Sequence, residues 1–94
     1  MIDKDRLHVL NYVKKEEYTG STEGMRYMLK KKASGEKTVL EVIIWPEPYG
    51  YAKTPEQRKQ HMEFTFDEKG LWEAVDWMNE QLIQQADLWN VEKS

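Results

Sequence analysis

Only His8 and His61 could serve as near-neutral acid/base groups, and neither stands at a spacing that catalysis uses. No His-Glu-x-x-His run marks a metalloprotease helix, and no serine sits between glycines in a nucleophile elbow. Cysteine is absent, which removes thiolate nucleophiles, disulfides and cysteine metal sites together. The glycines of YTGSTEG fit neither phosphate-loop pattern and are expected in a flexible loop. Catalysis would therefore rest on carboxylates. Glu41 is the candidate, because it is the one charge in an apolar run and burial would raise its pKa; emergence at the sheet margin or pairing with a lysine is the alternative. An enzyme is not the favoured reading, and no catalytic residue, metal site or cofactor is expected.

Recognition chemistry is better represented. In IIWPEPYGYAKTPEQRK, Pro46 and Pro48 remove amide donors and hold the residues before them extended, so a strand must stop pairing near Trp45 and leave stiffly. Tyr49 and Tyr51 bracket Gly50, which lets the chain turn sharply. The expectation is that Trp45 anchors the loop while Tyr49 or Tyr51 faces a partner. On the last helix, Trp77 and Leu88 fall outside the main apolar stripe and form a second edge, backed by Trp72 and Ile83 on the other rim. These four residues, Tyr49, Tyr51, Trp77 and Leu88, are the candidate partner-binding set, for another protein or for a second copy of the chain. The alternative is single-stranded nucleic acid, with Trp45 and the tyrosines stacking bases beside Arg26, Lys30, Lys31 and Lys32.

Charge limits that alternative. Residues 1 to 62 carry twelve Lys and Arg against nine acids, while residues 63 to 94 carry two against eight. The C-terminal part should repel phosphates. Within the basic half, Arg26, Lys30, Lys31, Lys32 and Lys37 face Glu36 alone in sequence, a cluster that suits either a phosphate or a solubilising hairpin tip. At 94 residues with 39% hydrophobic and 33% charged residues, one well-solvated globular domain is expected over 1–94. No run approaches a membrane span and MIDKDR lacks the apolar core of a signal peptide, so a cytoplasmic protein is expected.

The elements that would position these groups follow from periodicity. Asp3 as N-cap and an Ile2–Leu7 staple predict a short helix over residues 4–16, with a strand burying Leu7, Val9 and Val13 as the alternative. MRYMLKKK alternates apolar and polar, and KTVLEVIIW is apolar on both faces and hence central. Gly35 in ASGE joins them in a hairpin, and TPEQRKQ forms one helical turn with Thr54 as N-cap and Pro55 first in the helix. HMEFTF is a third strand. The segment EKGLWEAVDWMNEQLIQQADLW is a helix capped by Asp67, its stripe Leu71, Val75, Met78, Leu82 and Trp89 sealing the sheet. The fold expected is α+β, α-β-β-β-α, with a three-stranded antiparallel meander. Val39, Ile43 and Trp45 on the second face then need a cover, from the first helix or from another subunit.

At WPEPYGYAKTPE and EAVDWMNEQ the chain resembles a small bacterial family in which a strand ends at a proline-aromatic loop and a Trp-bearing helix closes the domain. The resemblance implies no known active site. An acetyltransferase-like label attached to such proteins fits poorly, since the Gly-rich pyrophosphate loop is lacking. The element string also resembles the double-stranded-RNA-binding domain, which implies a basic start to the last helix; FDEKGLWEAVD is acidic there instead. The favoured reading is a non-enzymatic protein-interaction or regulatory module, which could work as a homodimer.

Overall fold

A computed structural model of the chain describes residues 2–3, 7–47 and 49–89. Four antiparallel strands form one sheet in chain order: β1 (Tyr18–Thr22), β2 (Met25–Ser34), β3 (Lys37–Pro46) and β4 (Gln60–Thr65). The short α1 (Leu10–Val13) precedes them; the long α2 (Glu68–Gln84) and the short α3 (Ala86–Trp89) follow. The fold is thus α+β with an antiparallel sheet and a long C-terminal helix. No helix among the described residues is long and apolar enough to cross a membrane.

Two details of the expected order are corrected. First, YTGST is a strand, not a loop, so the meander has four strands and the likeness to the α-β-β-β-α order of the RNA-binding domain fails at its count. Glu23 and Gly24 both take positive φ, 50° and 89°, which is the turn geometry that matches the twist of two strands closed by a two-residue loop. Gly20 pairs with Tyr27, and a Cβ there would strike the Tyr27 ring, so the glycine lets the phenol lie across β1. Second, the N-terminal helix shrinks to four residues. Residues 4–6 lie outside the described part, Val9 offers no side-chain acceptor as N-cap, and both backbone groups of Ile2 are held by the Asn79 amide of α2.

One face of the sheet carries the core. Met25, Tyr27 and Leu29 of β2 and Leu40, Val42 and Ile44 of β3 meet Leu71, Ala74, Val75, Met78 and Leu82 of α2, all of them buried. Each such aliphatic side chain contributes about 1.5–3 kcal/mol by leaving water. The helix starts where expected, because Asp67 accepts from the Gly70 amide at 2.7 Å. Gly70 also lets the helix approach β4, since a Cβ there would collide with the Thr65 carbonyl. The helix ends earlier than its sequence suggests. It breaks at Gln85, and Trp89 folds back to donate to the Gln81 carbonyl at 2.9 Å, its own carbonyl lying beside Gly24.

Candidate functional site

The opposite face of the sheet is where the chemistry gathers. Strand alternation sends Thr19 and Ser21, Arg26, Met28, Lys30 and Lys32, Val39, Glu41, Ile43 and Trp45, and His61 and Glu63 to this side. Part of its cover comes from the loop after β3 rather than from α1. Ile43, Met28 and Trp45 are buried under Tyr51, whose ring meets the Trp45 indole edge-on at 5.6 Å. The Lys59 ammonium lies over the Tyr51 ring, 3.7 Å from its centre. Cation and aromatic quadrupole attract there.

The loop is pinned at several points. The Trp45 Nε1–H donates to the Tyr49 carbonyl at 2.8 Å, the Thr54 hydroxyl donates to the Gly50 carbonyl at 2.8 Å, and the Glu47 amide donates to the Gly24 carbonyl at 3.0 Å. Thr54 is therefore buried and bonded backward; the segment 51–58 forms two 3-10 turns, Tyr51–Lys53 and Glu56–Arg58, rather than a helical turn capped by Thr54. Trp45, 2% exposed, is the anchor, whereas Tyr49 stands 57% exposed beside it. Tyr51 is half-buried.

Further along the face lies a charged network. Glu41, 7% exposed, meets Lys30 at 3.5 Å, Lys32 at 3.9 Å and the His61 Nδ1 at 3.2 Å. The other ring nitrogen, Nε2, faces Glu56 of the loop, and Lys32 donates to Glu63 at 2.8 Å. Both His61 nitrogens thus face carboxylates. The arrangement ties the loop, through Glu56, to β4, β3 and β2 in turn. Lys32 is held above its ordinary pKa by the hydrogen bond to Glu63 and by the charges of Glu63 and Glu41. No group of carboxylates and histidines able to hold a metal occurs among the described residues. His8 is exposed and lines a different, open cleft with Leu10, Asp67 and Leu71.

The candidate residues separate into four places. Trp45 and Tyr51 come together with Arg26, and Tyr49 joins them only through its carbonyl; Lys30 and Lys32 are engaged by Glu41 and Glu63; Lys31, paired across from Leu40, is exposed on the side of the sheet that carries the helix. Trp77 and Leu88 pack against the main core, Trp77 with its ring 6.3 Å from that of Phe64, so the rim they were expected to expose is partly closed. Trp72 and Ile83 remain the open apolar groups of α2, at 46% and 66% exposure. Sequence reasoning missed Thr19 and Ser21. They become neighbours of Arg26 and Tyr51, around a cavity of about 240 Å³, only because β1 exists. The β-branched and aromatic content of YTGST was the signal for it. Comparison with known protein families, with curated proteins and with solved structures finds no match, so the family resemblance supplies no function.

Proposed function

We propose that the chain is a non-enzymatic protein-interaction module that meets its partner through the aromatic loop at the end of the sheet's second face. One observation carries this reading: Tyr49 is exposed while its own carbonyl is clamped by the buried Trp45 indole. An aromatic ring on a stiff, pinned backbone loses little entropy on engagement, and tyrosine is enriched among residues that dominate binding energy. A protein is favoured over nucleic acid because Lys30 and Lys32, which would have to meet phosphates, are bound to carboxylates of the same sheet.

The test is affinity capture from the native cell with the wild-type chain and with Tyr49→Ala, alongside sedimentation of both. The variant should keep its circular dichroism and lose the captured partner; sedimentation reveals whether that partner is a second copy. Capture that survives both Tyr49→Ala and Tyr51→Ala unchanged would sink the reading.

A further inference from the structure

The row of residues Ser21, Arg26 and Trp45 runs across β1, β2 and β3 on the second face, in register, with Thr19 two residues along and Gly50 and Tyr51 closing it from the loop. We propose that the cavity they enclose binds a compact oxyanion, a carboxylate or a phosphate, carried on a peptide; this deepens the interaction-module reading and rests on it.

Three features point to an anion. The Nε of Arg26 is buried without a hydrogen-bond partner. A buried, unsatisfied donor on a charged group is a cost the fold carries until something accepts from it. The other two basic side chains along this face of β2, Lys30 and Lys32, each have a glutamate, whereas among the described residues no carboxylate lines the Arg26 cavity. Finally, the polar side chains around it are donors: the guanidinium, which only donates, and the hydroxyls of Thr19, Ser21 and Tyr51. The planar guanidinium edge matches two oxygens of a carboxylate or phosphate side-on, and the walls of Trp45 and Tyr51 lower the local dielectric and strengthen the pairing. Gly50 and Tyr51 line the same cavity, so an oxyanion that approaches the buried Nε presses on that segment. Occupancy therefore disturbs the Trp45–Tyr51 ring contact, and with it the loop that displays Tyr49.

The experiment is a titration of the isotope-labelled full chain followed by NMR, reading the Arg26 Nε–H, the Trp45 Nε1–H and the Ser21 amide. The probes are acetate, inorganic phosphate, and three short peptides identical except for one central residue, glutamate, phosphoserine or glutamine. Saturable shifts at these three signals with the glutamate or phosphoserine peptide, but not with the glutamine peptide, are expected, weakening as salt rises; the tighter of the two names the oxyanion. Arg26→Gln should weaken binding by roughly tenfold or more, and Arg26→Lys, which keeps the charge but not the fork, should also weaken it. Equal shifts with the glutamine peptide, or none with any probe on the wild-type chain, would overturn the proposal whether or not the variants fold. Either result leaves the capture experiment on Tyr49 standing as a separate test of the module.

Discussion

The indole of Trp45 and the carbonyl of Tyr49, four residues apart, are joined by a 2.8 Å hydrogen bond that makes the buried ring the fastener of the exposed one. Truncation at the two positions should therefore have opposite signatures. Trp45→Ala should cost about 3–5 kcal/mol in urea unfolding, as loss of a buried aromatic does. Tyr49→Ala should stay within about 0.5 kcal/mol of wild type. Trp45→Phe should keep most of the burial yet loosen the loop, visible as faster amide exchange at residues 49–54. Equal losses for Trp45→Ala and Tyr49→Ala would contradict this division of roles.

Gly24 and Gly35 offer a second comparison. Both have positive φ, 89° and 64°, but a Cβ at Gly24 would run into the Trp89 carbonyl, whereas Gly35 has open space around it. Gly35→Ala should cost about 1–2 kcal/mol, the strain of a left-handed residue. Gly24→Ala should cost clearly more and should release Trp89, seen as a red shift of tryptophan emission. Comparable losses at the two sites would show that Trp89 does not press on the turn.

Trp77 was legible as a residue outside the main stripe, yet its place against Phe64 makes it partly core. Trp77→Glu should lower the thermal midpoint by several degrees, which makes it a poor probe of self-association. Ile83→Ser, at an exposed position, should leave the midpoint nearly unchanged. Calorimetry of both decides.

Stability should fall at both extremes of pH. Asp67 is held below the usual carboxylate range, first by the Gly70 amide and then by the Thr65 hydroxyl, so its contribution is present above about pH 4 and is lost as pH falls through the depressed folded value. Lys32 is raised by its bond to Glu63, and Tyr27 by burial. Their contributions are complete below about pH 10 and are lost as pH rises through the raised folded values. Urea midpoints against pH should show both limbs. Asp67→Asn, which keeps an acceptor at the N-cap, should flatten the acid limb, and Tyr27→Phe should soften the alkaline one.

What the sequence revealed was whatever one element could specify alone. The two-faced apolar pattern of KTVLEVIIW placed β3 in the middle, the Leu71–Leu82 stripe set the face of α2, and Asp67 marked its start. What it concealed depended on pairing. Thr19 and Ser21 look like loop residues until β2 supplies their hydrogen bonds, and Arg26 belongs by composition with Lys30–Lys32 until the carboxylates of β3 and β4 claim two of those lysines. Glu41 read equally as a catalytic acid or a lysine partner from sequence; its neighbours on both adjacent strands make it the hub of an ion network.

The meander also has a kinetic consequence. Each strand pairs with the next in the chain, and two of the three connections are two-residue turns, after Thr22 and after Ser34. Contacts of that kind close small loops and form quickly, whereas β4 can dock only once residues 47–59 have been drawn into a ring whose ends meet at Ile44 and Gln60. The β1–β2–β3 hairpins should thus be formed in the folding transition state ahead of β4, with conservative truncations at Ile43 slowing refolding and truncation of Met62 mainly speeding unfolding. The segment that displays Tyr49 is then the last part of the sheet to close, and the first to open.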